Sequence, residues 1–149
     1  MNELQAALKI VLANTFIMYF KAHSYHWNVE GPNFADYHQF FATLYEELHG
    51  AIDPIAEQIR ASGQYAPYSV SDVLSAHTCQ EDIAVIASYN QMFTSLIRAN
   101  DQVVGALNRA RMLADSQQLA GLSNFLAERL DIHAKHNWML QSLNKPNGA

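Results

Sequence analysis

The sequence contains a single cysteine, Cys79, so no disulfide can form within the chain. This excludes the small secreted scaffolds that disulfides hold together. The sequence also lacks a run of basic residues, and nine Lys and Arg stand against fourteen Asp and Glu, for a formal net charge of −5. Proteins that bind the phosphate backbone of nucleic acids do so with clustered cations. The composition therefore argues against direct DNA binding.

Long hydrophobic runs are absent as well. The longest apolar stretch, residues 10–20, is interrupted by Asn14 and Thr15 and is too short to span a bilayer. The first residues do not resemble a signal peptide, so we expect a soluble, cytoplasmic protein with no membrane partner. Charged residues make up only 15% of the chain, against about 25% in a typical soluble domain. One way to tolerate a surface so poor in charge is to bury much of it against other copies of the chain.

Apolar residues are abundant, making up half of the 149 positions, which is enough to form the core of one domain spanning residues 1–149. In the first segment they recur at steps of three and four residues, as on one face of an α-helix. The positions on this face are Leu4, Leu8, Leu12, Thr15, Tyr19, Ala22 and His26. This helix is predicted to end near Trp27, because Gly31 and Pro32 follow.

The second helix is predicted to begin at Asn33 or Phe34, with Asn33 as its N-cap, and to run to about Ser62. Gly63 supplies the residue that ends a helix in a left-handed conformation. In the irregular segment that follows, we expect one short helix that begins at Ser69 or Ser71. Local capping signals thus set the limits of both elements.

The segment Thr78–Glu81 has the sequence of a capping box, in which a threonine and a glutamate satisfy the first free amides of a helix. The third long helix is therefore predicted to run from Thr78 to about Leu113. This places Cys79 and Asp82 in its first turns, where both are interpreted as structural residues.

Asp115 or Ser116 is predicted to cap the fourth long helix, which ends before Pro146. Four long helices, with a short extra helix in the crossover between the second and the third, predict an all-α fold. The architecture that suits this order of elements is the four-helix bundle.

One stripe of the second helix concentrates ionisable side chains within about 100° around the helix axis. Its positions are His38, Ala42, Glu46, His49, Asp53 and Glu57. Histidines are the only potential cations on this stripe, so ion pairing along the helix does not explain the pattern. Imidazole with carboxylate is a ligand set for iron, zinc or manganese. A metal site is favoured, although most stripes of this kind are solvated faces.

Spacing divides the stripe into two halves. His38 and Asp53 lie about 22 Å apart along one helix, at about 1.5 Å per residue, so they cannot share an ion within it. Asp53 and Glu57 can share one, and His26 can converge with His38 across the tight turn between the first two helices. Antiparallel pairing of the second helix with its copy would join the halves at a twofold dimer interface. The alternative is that the two halves are unrelated features.

Several segments together resemble the signature of the Dps family, the miniferritins named as DNA-binding proteins from starved cells. They are Tyr19–Tyr25, His26–Phe34, Tyr37–His38, Ile52–Glu57 and, less specifically, Lys135–Leu140. With the helical layout, the resemblance extends over nearly the whole chain. It implies a ferritin-like four-helix bundle that assembles into a hollow homododecamer.

The resemblance also implies an activity. Members of this family oxidise Fe(II), preferably with hydrogen peroxide, at twofold interfaces and store the ferric product inside the shell, which protects against oxidative stress. His26 and His38 match the imidazole ligands from one subunit, and Asp53 and Glu57 match the carboxylate ligands from the partner. Trp27 matches a tryptophan beside the centre that takes up oxidising equivalents.

The sequence departs from the family pattern at three points. Ala42 stands where the family has an aspartate four residues after the second histidine, so one carboxylate of the iron site is missing. Glu46, one turn further along the stripe, is a candidate to replace the missing aspartate, so we include it among the predicted metal ligands. Pro54 lies inside the second helix, where Gly50 eases the kink that proline imposes. The family's basic DNA-binding tails have no counterpart here, so direct DNA binding is not expected.

Three other functions fit the sequence in part. An enzyme with a di-iron site inside one bundle needs a Glu-x-x-His motif on two helices, and only Glu46–His49 provides one. A shell that has lost ferroxidase activity through Ala42 is the main alternative, with a structural or iron-binding role. A DNA-compacting module lacks its basic arm.

Overall fold

A computed structural model describes residues 1–146 of the chain as five helices. The helices are α1 (Glu3–Asn28), α2 (Phe34–Ala61), α3 (Val70–Leu74), α4 (Tyr89–Ser116) and α5 (Ala120–Leu143). The described residues include no β-strand, and α3 is the short helix expected in the crossover. Within this part of the chain, no helix is long and apolar enough to cross a membrane.

The first two long helices follow the local signals closely. α1 begins with a capping box in which the Asn2 side chain accepts from the Gln5 amide and the Gln5 side chain accepts from the Asn2 amide. Asn33 occupies the N-cap position of α2, although its side chain makes no capping hydrogen bond. α2 ends one residue before Ser62, and Gly63 takes the left-handed conformation with φ of +96°.

α2 continues without a break through Pro54, as predicted. A proline inside a helix removes one hydrogen bond and presses its ring against the carbonyl of the residue four positions earlier. That residue is Gly50, and apart from its chain neighbours and the backbone of the helix itself no atom lies within 4 Å of where its Cβ would stand. Because α2 extends from Phe34 to Ala61, Asp53 and Glu57 lie on the same helix as His38.

The predicted start of the third long helix is wrong, because α4 begins at Tyr89 and Thr78–Glu81 lies outside any helix. The side-chain oxygen of the buried Asn14 on α1 accepts hydrogen bonds from the backbone amides of Thr78 and Cys79, at 2.9 and 3.0 Å. The Asn14 amide group donates to the Thr78 hydroxyl at 2.8 Å. A tertiary partner thus binds the amides at the start of this segment, and the chain crosses α1 as irregular structure.

Asp82 holds the same crossing segment against α1, so its structural role stands although its place in a helix does not. The buried Lys21 ammonium contacts the Asp82 carboxylate at 2.8 Å, and the Tyr25 hydroxyl donates to it at 2.6 Å. Burial and the hydrogen bond to Asp82 raise the pKa of Tyr25. Cys79 is buried beside this network, and burial raises the pKa of its thiol.

The predicted cap of the fourth long helix is also wrong. Both Asp115 and Ser116 still belong to α4, and α5 begins only at Ala120 after a turn in which Gln118 has a φ of +58°. The Asp115 carboxylate instead accepts a hydrogen bond from the Ser123 hydroxyl, inside α5. Asp115 therefore links the two helices across the turn rather than capping the second of them.

The four long helices enclose one apolar core, with α1 packed against both α2 and α4, and α4 packed against α5. Its largest fully buried side chains are Phe41, Phe93, Leu8, Met18, Leu48, Ile55, Ile59, Met92, Leu96, Leu107, Leu126 and Leu140. An ion pair between Glu47 and Arg129 also joins α2 to α5. This bundle fixes the seam between α1 and α2, where the candidate metal ligands lie.

Candidate metal centre

His26, near the end of α1, and His38, near the start of α2, form a closely stacked pair. Their ring centroids are 3.7 Å apart and the ring planes differ by 15°. Nδ1 of His26 hydrogen bonds the backbone carbonyl of His38 at 2.8 Å, and Nδ1 of His38 hydrogen bonds the carbonyl of His26 at 2.6 Å. A carbonyl only accepts, so each Nδ1 carries the hydrogen. Both Nε2 lone pairs are therefore free to bind a metal ion.

The stacking of the two rings limits how they can act. An imidazole binds a metal ion along its Nε2 lone pair, which lies in the plane of the ring. Two nearly parallel rings in contact have separate planes, so one ion cannot lie in both. The pair therefore offers two neighbouring positions, one for each ring.

The carboxylates of the stripe lie on the open surface of α2. Glu46, Asp53 and Glu57 are all exposed, and Asp53 is about 22 Å along the helix from His38. In residues 1–146 no three His, Cys, Asp or Glu side chains stand close enough to hold an ion. The structure therefore brings His26 and His38 together, and leaves Asp53, Glu57 and Glu46 apart from them within one subunit.

Trp27 lies beside the histidine pair but contacts it through another ring. The His23 ring stacks on Tyr45 at 3.8 Å and faces Trp27 at 4.3 Å, while Tyr45 is 5.3 Å from the His26 ring. Burial lowers the pKa of His23, and the neighbouring His26 and His49 lower it further. Trp27 itself is 55% exposed. His23 and Tyr45 thus continue the row of rings from the pair along the α1–α2 seam.

A second polar cluster, which the sequence did not reveal, joins α2 to α5. Glu47 accepts two hydrogen bonds from Arg129, at 2.5 and 3.1 Å, and one from Nε2 of His136 at 2.7 Å. Burial by itself raises the pKa of Glu47, but the hydrogen bonds from His136 and Arg129 outweigh it and bring the pKa to about 2. His133 is fully buried between Arg129 and Asn100. These histidines are satisfied structural groups.

This cluster predicts a loss of stability in acid. Burial, with the positive charge of Arg129, lowers the pKa of His133 from its ordinary 6.5 to about 3. In the unfolded chain His133 therefore binds a proton near pH 6.5, whereas in the folded chain it stays neutral down to about pH 3. The free energy of unfolding consequently falls as the pH is lowered from 6.5 towards 3. Glu47 adds a loss between pH 4.5 and 2. We expect the urea concentration at the midpoint of unfolding to be lower at pH 4.5 than at pH 7.5.

The variant His133→Asn separates the contribution of His133 from the loss of stability that other groups cause when they bind protons in acid. It should be less stable than the wild type at pH 7.5, yet lose less stability between pH 6.5 and 4.5. His77→Asn, at an exposed position in the crossover, is the matched control and should keep the wild-type slope. An unchanged slope in His133→Asn would contradict the assignment.

Comparison with known proteins identifies the fold. The model of the ferritin-like domain family matches residues 5–146. The chain is 32% identical over 131 residues to the DNA protection during starvation protein of Brevibacillus brevis, covering 88% of this chain and 87% of that one. It is 31% identical over 144 residues to general stress protein 20U of Bacillus subtilis, covering 95% and 97%.

Solved structures agree with the sequence matches. The Dps protein of Bacillus brevis superposes with a TM-score of 0.86 at 29% identity, covering 97% of this chain and 99% of that one. The Dps protein of Vibrio cholerae, described as one of the ferritin-like diiron-carboxylate proteins, gives a TM-score of 0.89 at 26% identity, covering 96% and 89%. The chain therefore belongs to the Dps family of ferritin-like proteins.

Proposed function

We propose that this protein oxidises Fe(II) with hydrogen peroxide and stores the ferric product inside a hollow homododecamer. Membership of the Dps family supports iron storage and ferroxidase-type chemistry in general. The observation that carries the proposal for this chain is the reciprocal hydrogen bonding of His26 and His38. It makes Nδ1 of each ring the donor nitrogen and leaves Nε2 of each ring as the nitrogen that can bind a metal ion.

Each complete site takes its ligands from two subunits. His26 and His38 of one subunit face Asp53 and Glu57 of the partner, with α2 of the two subunits antiparallel about a twofold axis. The support for this pairing is that α2 carries both half-sites on one stripe but keeps them too far apart to act together. Trp27, which is 55% exposed in one subunit, follows His26 directly and is therefore close to this proposed interface.

The donor set suits the oxidation of iron. Imidazole binds Fe(II) without holding it permanently, whereas carboxylates favour the ferric product. Two Fe(II) ions give one electron each to hydrogen peroxide, which is reduced to two hydroxide ions that take up protons to become water. No hydroxyl radical leaves the site when both electrons arrive together. Trp27, close to the pair through His23, is positioned to supply an electron when only one Fe(II) is bound.

Solution mass combined with an anaerobic Fe(II) titration tests the proposal. A dodecamer of 16.7 kDa subunits has a mass of about 200 kDa, and Fe(II) should bind it saturably before peroxide is added. Peroxide should then oxidise the bound iron without releasing hydroxyl radical to a spin trap. A monomeric protein, or an assembly that binds no Fe(II), would contradict the proposal.

A shell with impaired ferroxidase activity is the second candidate, and Ala42 supports it. Ala42 follows His38 by one helical turn, is 9% exposed and ends in a methyl group, so it offers no oxygen to an ion on His38. Such a shell would bind Fe(II) on His26 and transfer electrons to peroxide slowly. Glu46, exposed one turn further along α2, is proposed as a ligand through water.

We place the protein in the cytoplasm and expect it not to bind DNA directly. With a formal charge of −5, the chain repels the phosphate backbone. A gel-shift assay at low salt should show free DNA at every protein concentration when magnesium is absent. Retention of DNA in the presence of a chelator would contradict the expectation.

A further inference from the structure

We propose that Tyr19 on α1 is an electron donor for the iron centre, with His23 as the base that takes up its phenolic proton. The inference rests on the proposed function and concerns the state in which a site holds only one Fe(II). It adds a tyrosine to the reaction, and it gives a part in that reaction to His23, which is not a ligand of the proposed centre.

The side chains of Tyr19 and His23 form a hydrogen bond across one turn of α1. The hydroxyl oxygen of Tyr19 is 3.0 Å from Nδ1 of His23, and it makes no other hydrogen bond within residues 1–146. A phenol has one hydrogen to donate, and the unprotonated nitrogen of a neutral imidazole accepts it. We therefore assign the hydroxyl as the donor and Nδ1 of His23 as the acceptor, so the phenolic proton already points at a base.

A short path of aromatic rings connects Tyr19 to the histidine pair and to Trp27. The His23 ring faces Trp27 at 4.3 Å and stacks on Tyr45 at 3.8 Å. Tyr45 lies 5.3 Å from His26 and 6.4 Å from Tyr19. These distances join ring centroids, so an electron that leaves Tyr19 passes only between neighbouring rings.

The reaction balances with one iron ion and one tyrosine. Hydrogen peroxide needs two electrons to become two hydroxide ions, and a site with one Fe(II) supplies only one. In the net reaction the second electron comes from Tyr19 as its O–H bond breaks, and the proton forms a new N–H bond at Nδ1 of His23. Fe(II) is oxidised to Fe(III), Tyr19 to a neutral tyrosyl radical, and the O–O bond of the peroxide is cleaved.

The hydrogen bond decides which ring stays oxidised. Trp27 gives up an electron first in the proposed reaction, and Tyr19 then replaces it. An oxidised phenol is a far stronger acid than an imidazolium, even that of His23, whose pKa burial lowers. Trp27 is 55% exposed and its indole makes no hydrogen bond with the described part of the chain, so no protein base holds its proton. The radical is therefore expected on Tyr19.

Electron paramagnetic resonance of rapidly frozen protein tests the inference. The assembled protein is loaded anaerobically with fewer Fe(II) ions than sites, mixed with hydrogen peroxide and frozen. The wild type should give the signal of a tyrosyl radical, which narrows when the protein is produced with ring-deuterated tyrosine. Tyr19→Phe keeps the ring but lacks the hydroxyl, so it should lose this signal and give that of a tryptophan radical.

Three further variants distinguish Tyr19 from other tyrosines and test its base. His23→Phe keeps a ring against Tyr45 but removes the proton acceptor, so the radical should again remain on tryptophan. If this variant does not assemble, His23→Gln, which has no basic nitrogen, takes its place. Tyr45→Phe should keep the tyrosyl signal, as should Tyr68→Phe, the matched control at a position that is 91% exposed.

The absorbance of the ferric product in the same samples separates the inference from the proposed function. Ferric product together with an undiminished tyrosyl signal in Tyr19→Phe would overturn the role of Tyr19 and leave the ferroxidase activity intact. Loss of the signal in Tyr45→Phe instead, or ferric product without any tyrosyl radical in the wild type, would do the same. A wild type that forms neither ferric product nor radical would overturn both.

Discussion

Fe(II) oxidation by peroxide falls at least about tenfold, and more when the ion is lost outright, on replacing either His38 or Asp53 with alanine. His38 supplies one of the two oriented Nε2 atoms, and Asp53 is the carboxylate that faces the pair from the partner in the proposed dimer. Removing one donor weakens ferrous binding and removes the fixed geometry in which the two electrons reach peroxide. The rate is measured by the absorbance of the ferric product after anaerobic loading.

Matched controls exclude a general effect of losing a histidine or an acid. His77→Ala removes an exposed imidazole in the crossover, and Asp131→Ala removes an exposed carboxylate on α5. Both should keep the wild-type rate and the wild-type mass. Wild-type rates in His38→Ala and Asp53→Ala would show that the iron site lies elsewhere.

Glu47→Ala lowers the free energy of unfolding by about 3 kcal/mol, because it leaves a buried guanidinium without its counter-ion. Arg129 is only 7% exposed at its side chain and donates both of its outer nitrogens to the Glu47 carboxylate. The loss also frees Nε2 of His136, so two polar groups on α5 lose their partner. Urea unfolding at fixed protein concentration and pH 7.5 measures the effect.

Glu128→Ala is the control for this prediction. Glu128 precedes Arg129 on α5, is exposed and forms no ion pair in residues 1–146. Surface substitutions of this kind change stability by less than about 0.5 kcal/mol. Equal losses in the two variants would mean that the Glu47–Arg129 contact does not stabilise the bundle.

Helix content and the limits set by local signals could be read from the sequence. Gly31 with Pro32 ends α1, Gly63 ends α2, and the Ser69 hydroxyl caps α3 by accepting from the Asp72 amide. In each case the residue and its partner are close in the sequence. Such interactions form in the same way whatever the rest of the chain does.

The errors arose where distant partners compete with local signals. Asn14 binds the amides of Thr78 and Cys79 from more than 60 positions away, and this decides against the capping box. Glu47 pairs with Arg129 across 82 positions, and no local pattern on α2 indicates this contact. Neither partner can be identified without knowing how the helices pack.

The candidate site also has one part that local sequence signals predict and one part that depends on how the helices pack. The spacing on α2 predicts that imidazoles and carboxylates form separate half-sites, because fifteen residues of one helix place His38 and Asp53 about 22 Å apart. The crossed hydrogen bonds between His26 and His38 depend on how the turn between α1 and α2 closes, which no local pattern encodes. In the proposed dimer, the partner subunit supplies the carboxylates that this pair lacks.

Mixed assembly of two inactive variants tests the central claim most directly. His38→Ala and Asp53→Ala subunits are dissociated, combined in equal amounts and reassembled. If each site spans two subunits, half of the dimers are mixed and one of their two sites is intact, so about a quarter of the wild-type oxidation rate should return. If both half-sites belonged to one chain, no site in the mixture would be complete, and activity would stay at the level of the separate variants.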